Sequence, residues 1–353
     1  MPRSCNTTAP VPASAVPVVA LVVDGTDWHA RTLTKAFAAQ GVRTILTSLQ
    51  ACEITTQGAS GLNIAGMGDR LPDAVLVRSM SGGTFQAVTL RLGILHALRE
   101  NGVLVWNDAR AIERCVDKSM TSFLLARAGI PTPATWAVET QAAAQAIVRR
   151  ECPQGPLVLK PLFGSQGRGL KLVRTADKLP PPDEVAGVYY LQRYVGVEGG
   201  DGFRDFRLLV SRGRVIAAMT RHAAGWITNV KQGGRPLATV PDREMKELAV
   251  RATEVVGAEF AGVDILHGPD GRPTVLEVNS MPAWSGLQKV TRASIARVLA
   301  GDLVAALAAR TERGATALPR LRKGLPPPSR RLVLMSSMRR SLVTSTSSPR
   351  ATA

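Results

Sequence analysis

Gly262-Val-Asp264-Ile-Leu-His-Gly-Pro-Asp-Gly-Arg-Pro-Thr-Val-Leu-Glu277-Val-Asn279-Ser-Met-Pro282 decides the reading of this chain. Two apolar runs flank Gly268-Pro269-Asp270-Gly271, whose residue types favour a turn, so the segment reads as a β-hairpin. Glu277 and Asn279 are two apart and share a strand face, and Asp264 on the facing strand can join them. Two carboxylates and an amide oxygen among apolar strand residues are costly to bury without a cation. They are hard oxygen donors of the kind Mg²⁺ takes, usually together with nucleotide phosphates. The plainer alternative is the polar face of a surface hairpin.

Working outward, a second segment bears on that choice: Pro156-Leu-Val-Leu-Lys160-Pro-Leu-Phe-Gly164-Ser165-Gln166-Gly167-Arg-Gly169-Leu-Lys-Leu-Val173. Strand-like runs enclose a glycine-rich loop with no Gly-Lys-Ser/Thr and no helix after it, so it is not a Walker loop. It reads either as a simple β-turn or as a hairpin that folds over phosphates with its backbone N–H groups. Lys160 inside an apolar strand favours the second, because a buried lysine needs an anion. Upstream, apolar runs at 16–23, 42–47, 74–77 and 103–106 alternate with helical patterns at 28–39, 85–99 and 109–115, which predicts an open α/β layer. No GxGxxG follows the first run, so a dinucleotide fold is not supported. Asn107-Asp108 can cap the 109–115 helix, and a helix from Asp117 stops at Gly129 before Pro131 and Pro133. Beyond it the patterns predict a strand at 134–138, a helix at 140–150, a strand at 188–195, a hairpin of 204–210 with 214–220, a loop at 225–234, a helix at 241–256, a loop through Trp284 and a helix at 293–310. Arg207 and Arg221 read as surface strand charges or as site residues, and Trp226 and Trp284 as anchors or stacking platforms.

Composition narrows the class. The 353 residues are enough for two or three domains, and mean hydropathy is +0.06, ordinary for an α/β protein. No apolar run has the length of a membrane span, and the Ala/Pro/Ser/Thr-rich start at 1–16 reads as a disordered lead. Four scattered cysteines without a CxxC pair point to a reducing, cytoplasmic setting and away from zinc or a disulfide framework. The net charge is +17; the acid-free stretch from Gly314 onward carries seven Arg and one Lys, and reads as a disordered basic tail. The basic remainder suits anionic ligands such as nucleotides. Aromatics make up only 4% and do not interleave with the basic residues, so nucleic acid is not the expected partner.

In chain order these pieces resemble the ATP-grasp superfamily, in its branch of ribosomal-S6-type α-L-glutamate ligases. The resemblance covers about residues 105–310. It is carried by Asp117-Lys118, Lys160 with Gly164 to Gly169, Gln192-Arg193-Tyr194, Asp205-Phe-Arg207, Thr228-Asn229, Gly233-Gly234, Ala261-Gly-Val-Asp264 and Leu276-Glu277-Val-Asn279. Asn279-Ser-Met-Pro-Ala-Trp-Ser-Gly-Leu287 is similar to the subgroup that ligates glutamate to tetrahydromethanopterin-type cofactors.

The resemblance implies an ATP-grasp fold, α/β and α+β. It comprises an N-terminal open α/β (pre-ATP-grasp) domain at 17–116, a central subdomain at 117–195 and a C-terminal subdomain at 196–312 that carries the metal site, with the tail at 313–353. It implies an ADP-forming ligase acting through an acylphosphate, with ATP between the last two subdomains and a pair of Mg²⁺ or Mn²⁺ ions as cofactor. Its substrates would be ATP, L-glutamate and a carboxylate acceptor, either a pterin-type cofactor or a protein C-terminus, and the chain would form a homo-oligomer. Lys118 and Lys160 would contact phosphates, with Gly164, Ser165, Gln166, Gly167 and Gly169 over them. Gln192, Arg193 and Tyr194 would line the adenine pocket, Asp205 would face the ribose, and Thr228 would stand nearby. Arg207, Arg221 and Asn229 would face the γ-phosphate and acyl group, and Asp264, Glu277 and Asn279 would hold the metal. Arg193 departs from the family pattern, which has an acid there. A different class of reading is a catalytically inactive nucleotide-binding protein whose basic tail engages an acidic partner or nucleic acid.

Overall fold

Apolar strands alternating with capped helices build the first part of the chain. In the computed structural model, residues 16–164, 167–196 and 202–316 are described. The expected lead and tail, Ser165, Gln166 and residues 197–201 lie outside them, the lead and tail all but for their innermost residues. Strand β1 (Val18–Val22) leads to helix α1 (Trp28–Ala38), which Asp27 caps by accepting the Ala30 N–H. β2 (Arg43–Thr47), the two-residue β3 (Glu53–Ile54) and β4 (Leu62–Asn63), β5 (Ala74–Val77), α2 (Phe85–Glu100) and β6 (Leu104–Trp106) follow. The sheet order is β2-β1-β5-β6 with every pairing parallel. β5 is buried on both faces, which is why its sequence is apolar without alternation.

Asp108 and Asp117 cap α3 (Ala109–Val116) and α4 (Lys118–Arg127). A second, antiparallel sheet of order β7-β10-β8-β9 comprises β7 (Thr135–Val138), β8 (Leu157–Lys160), β9 (Lys171–Val173) and β10 (Tyr189–Arg193), with α5 (Gln141–Glu151) packed on it through Ala144, Ile147 and Val148. The third sheet, β13-β12-β11-β14-β15, comprises β11 (Phe203–Ser211), β12 (Arg214–Ala223), β13 (Arg235–Ala238), β14 (Phe260–His267) and β15 (Pro273–Asn279). Its apolar face is covered by α6 (Arg243–Val256), which ends at the left-handed Gly257.

Five elements depart from the sequence expectation, the short β3 and β4 among them. The 225–234 stretch gives way to β13, which holds Pro236 on a sheet edge, where a missing N–H is tolerated. The loop through Trp284 turns into α7 (Ser285–Val290), and the last helix, α8 (Ile295–Thr316), runs past the expected end at 310. Asn107 does not cap a helix. It is fully buried, its Oδ1 accepts the N–H groups of Glu259 and Phe260, and its Nδ2 donates to the carbonyls of Phe260 and Ser280. One amide side chain thereby ties the end of β6 to the start of β14 and the end of β15.

Candidate active site

The register of the third sheet sets the site. In β11, β12, β14 and β15 the facing pairs are Asp205 with Arg221, Arg207 with Asp264, and Asp264 with Glu277, while Gly262 faces Asn279. Residues directly opposite in an antiparallel pair share a face, so all of these side chains emerge on one side. A bulge between Asp264 and Ile265 leaves Leu276 unmatched.

The result is a row of alternating charge. Arg221 donates from Nε to Asp205 Oδ1 at 2.7 Å and from its terminal nitrogen to Asp205 Oδ2, and lies 3.0 Å from Asp264 Oδ2. Arg207 grips Asp264 with two hydrogen bonds of 2.5 Å and lies 3.9 Å from Glu277 Oε1. Asp205, Arg221 and Asp264 are each at most 4% exposed, while the Glu277 side chain keeps 31% of its surface open. Burial pushes the Asp264 pKa up, but Arg207 and Arg221 outweigh it and hold the carboxyl well below the usual range. Burial raises the Asp205 pKa against the pull of Arg221. Burial also opposes the charge of Arg221, and its two carboxylate partners more than reverse that. Each buried charge of the row thus has an opposite partner in hydrogen-bond reach.

A cleft of about 720 Å³ opens between this row and the second sheet. It is lined by Lys118, Lys160, Gly164, Gly167, Gln192, Arg193, Tyr194, Asp205, Arg221, Thr228, Asn229, Asp264 and Glu277, among others. Lys160 Nζ donates to Gln192 Oε1 at 2.5 Å, so Gln192 takes part through its buried side chain. Lys118 Nζ donates to the carbonyls of Leu162 and Gly164, at 3.1 and 2.9 Å, and so tethers the start of the glycine loop. Burial lowers the pKa of both lysines, and the charge of Glu277 opposes it in each. Two partly desolvated lysines facing a cleft favour an anionic ligand. The Tyr194 and Trp226 rings meet edge to face at 6.0 Å in the cleft wall.

Two residues stand differently from the sequence expectation. Both Asp205 oxygens accept from Arg221, so Asp205, which also lines the cleft, orients that guanidinium. Arg207 is absorbed by Asp264 and does not line the cleft. Arg193 lines the cleft as expected, and its guanidinium is taken up by the carbonyls of Glu151 and Gly155 and by Glu151 Oε2. Sequence reasoning misses the pairing itself. The signal for it is the alternation of Asp205 and Arg207 against Arg221 across a short turn.

The donor set fits Mg²⁺. Asp264 and Glu277 are cross-strand neighbours, and Asn279 lies on the same face, its Nδ2 donating to Glu277 Oε1 at 3.0 Å. Among the described residues no group of three carboxylate, His or Cys donors could hold a metal. A cation here must complete its shell with phosphate and water oxygens, which is the habit of Mg²⁺. Glu277 is the more open of the two carboxylates, since both Asp264 oxygens are held by arginine.

Gly167 shows how closely the loop approaches the 227–229 segment of the cleft wall. Its φ is +71°, and a Cβ there would stand 2.5 Å from Asn229 Oδ1 and 2.8 Å from Ile227 Cγ2. Gly167→Ala is expected to leave the fold intact and weaken nucleotide binding roughly tenfold, from about 1–2 kcal/mol of backbone strain and the lost approach. Calorimetric titration of wild type and variant with an ATP analogue checks this; equal affinities would free the loop of any part in binding.

Residues 115–303 match the model of the RimK-like ATP-grasp domain. The chain is 32% identical over 304 residues to tetrahydromethanopterin:alpha-L-glutamate ligase of Methanosarcina acetivorans, covering 75% of this chain and 92% of that protein. It is 31% identical over 282 residues to ribosomal protein bS6–L-glutamate ligase of Salmonella newport, covering 77% and 90%. Among solved structures, the ATP-grasp ligase PsnB complexed with minimal precursor shares the fold, with a TM-score of 0.64 at 24% identity over 82% of this chain and 99% of that one. With its matched domain enclosing the lysine-lined cleft and the charge row, the chain belongs to the RimK-like ATP-grasp family of ligases.

Proposed function

We propose that the protein joins L-glutamate to the carboxylate of an acceptor in an ATP-dependent reaction that releases ADP and phosphate. The observation that carries this reading is the cleft itself: Lys118 and Lys160 on one wall face the open carboxylate of Glu277 and the fixed guanidinium of Arg221 on the other. The names of the relatives above support L-glutamate as one partner and a tetrahydromethanopterin-type pterin or a protein as the other; we take glutamate as the amine and, for a protein, its C-terminus as the acceptor.

A carboxylate does not condense with an amine at neutral pH, because its oxygen is a poor leaving group. Transfer of the γ-phosphoryl group of ATP to the acceptor carboxylate gives an acylphosphate. The amine nitrogen then attacks the acyl carbon, the C–O bond to phosphate breaks, and the nitrogen loses a proton. The first step needs alignment and charge neutralisation more than covalent help. Lys160 and Lys118 would hold the phosphates, and their lowered pKa values would rise again against that polyanion. Arg221, immobilised between Asp205 and Asp264, would present its charge without reorganising. The glycine loop would close toward Asn229 and keep water from the acylphosphate. Asp264, Glu277 and Asn279 would hold Mg²⁺, which supplies positive charge to the phosphate oxygens when bound.

The test is ADP release with Mg-ATP and L-glutamate against tetrahydromethanopterin and peptides ending in the ribosomal S6 C-terminal sequence, with product masses read. ADP that requires both glutamate and one acceptor, with a glutamyl mass added, is the expected result. AMP and pyrophosphate in place of ADP would overturn the mechanism.

A further inference from the structure

Arg78 follows the apolar run of β5 and plays no part in the cleft. It is 8% exposed, yet its partners are poor. Its Nη1 donates to the Met281 carbonyl at 3.4 Å, its Nη2 lies 4.0 Å from Asp27 Oδ2, and its Nε has no hydrogen-bond partner. Asp27 is already committed, accepting from the Ala30 N–H and from His29 Nδ1, each at 2.8 Å. The Trp284 ring lies 5.1 Å from the Arg78 guanidinium carbon, and its buried Nε1–H is also unpartnered. Two buried N–H donors without partners, on side chains stacked against each other, and a cation whose nearby carboxylates, Asp24 and Asp27, are engaged elsewhere, leave an unmet demand for an acceptor with negative charge.

The surroundings are built. Three loops meet here, at 24–27, 78–84 and 280–284, beside the first turn of α1. The Asp24 N–H donates to Ser79 Oγ at 3.0 Å and Ser81 Oγ donates to Asp24 Oδ1 at 2.5 Å, which stitches the first loop to the second. The Trp284 N–H donates to His29 Nε2 at 3.2 Å, which fixes the tautomer so that Nδ1 carries the proton given to Asp27. Burial, then Arg78, lower the His29 pKa against the pull of Asp27, so the ring is neutral and does not compete for an anion. The junction also lies beyond the carboxyl ends of β1 and β5, where the strand order of the parallel sheet reverses. Open α/β sheets bind ligands at that crevice. Met281 is four residues past Glu277, at most roughly 14 Å along the chain, so one substrate can touch both.

We propose that Arg78 and the three-loop junction around it form a carboxylate-binding subsite that holds one of the two amide partners by a carboxyl group that does not react. The inference rests on the ligase reading for the identity of those partners, L-glutamate and the acceptor. Its chemistry is the same from either source: a carboxylate accepting from the Arg78 guanidinium.

The test titrates wild type, Arg78→Met, Arg78→Lys and Asp27→Asn with L-glutamate, tetrahydromethanopterin and glutarate, each in the presence of Mg-ADP, by calorimetry. Arg78→Met is expected to weaken at least one of the three roughly ten- to a hundredfold, Arg78→Lys to recover part of that loss, and the Mg-ADP affinity to stay within twofold. The ligand that weakens names the carboxylate held. Asp27→Asn keeps the helix cap and removes the competing charge, so it should tighten the same ligand a few-fold. Three ligands bound equally by wild type and Arg78→Met, or none bound by the wild type, would overturn the subsite. Equal losses of ligand and Mg-ADP affinity in both Arg78 variants, with a lowered Tm, would make Arg78 structural and also overturn it. Glutarate binding is read without turnover, so failure of glutamyl transfer in the activity assay sinks the reaction and leaves the subsite to be judged on its own.

Discussion

Arg221→Met is expected to cost about 3–5 kcal/mol of stability and to lower kcat by at least roughly a hundredfold. The two effects have one cause. Arg221 is 3% exposed and satisfies Asp205 with two hydrogen bonds while lying 3.0 Å from Asp264. Removing it leaves Asp264 with Arg207 but strands Asp205, 4% exposed, as a buried charge. The stranded carboxyl escapes by taking a proton, and that gives the loss a pH signature. A carboxyl whose folded pKa lies above its unfolded value contributes stability below the unfolded pKa and loses it as pH rises through the folded one. The deficit of the variant should therefore be small near pH 4 and grow toward pH 8, readable as Tm against pH. The wild type has the opposite dependence through Asp264, whose depressed pKa keeps its contribution until the medium is strongly acid. Replacing the pair together, Arg221→Met with Asp205→Leu, should restore much of the stability, since a buried ion pair and an apolar pair of like volume are near equals. It should not restore kcat. Recovery of activity in the double variant would mean that the guanidinium only props up the sheet.

Much of this row is legible in the amino-acid sequence, and the part that is not has a physical reason. Period-2 alternation puts Glu277 and Asn279 on one face and allows Asp264 to join them, and the observed register bears that out. Alternation says which face a residue takes but not which residue stands opposite; that depends on register, and register depends on turns and bulges. The residues alone therefore leave Arg207 and Arg221 open, the family resemblance points them at phosphate, and the pairing of Arg207 with Asp264 and of Arg221 with Asp205 emerges only from the strand alignment. The same limit hides Asn107, whose partners are more than 150 residues away in sequence. Arg78 is the instructive omission. It follows an apolar strand as Lys160 ends one, yet only Lys160 stands out in the sequence as a buried cation. The glycine spacing beside Lys160 draws attention to it, and nothing local marks Arg78.

Glu277→Gln is expected to reduce ADP formation by about two to three orders of magnitude while leaving the fold and its melting temperature nearly unchanged. Among the carboxylates of the row it is the one whose removal isolates chemistry from architecture. Asp264 and Asp205 are locked into buried arginine pairs, so altering either disturbs the sheet. Glu277 keeps 31% of its side chain open, lies 3.9 Å from Arg207, and accepts one hydrogen bond from Asn279 that a glutamine oxygen also accepts. What glutamine removes is charge. That charge is the donor a divalent cation would need most, and it also props up the protonated forms of Lys118 and Lys160 against burial. Two consequences follow that a merely structural role would not produce. The tightening of an ATP analogue by Mg²⁺ should largely disappear, while binding of the analogue without Mg²⁺ should hold or improve, because a carboxylate facing the phosphates has gone. The residual activity should also fall away at a lower pH than in the wild type, since both lysines lose a stabilising neighbour and shed their protons earlier. Analogue titrations with and without Mg²⁺, together with a pH profile of ADP release, measure both. A variant with wild-type turnover and undiminished Mg²⁺ dependence would remove Glu277 from the metal site and leave the cleft, among the described residues, with no open carboxylate to serve it.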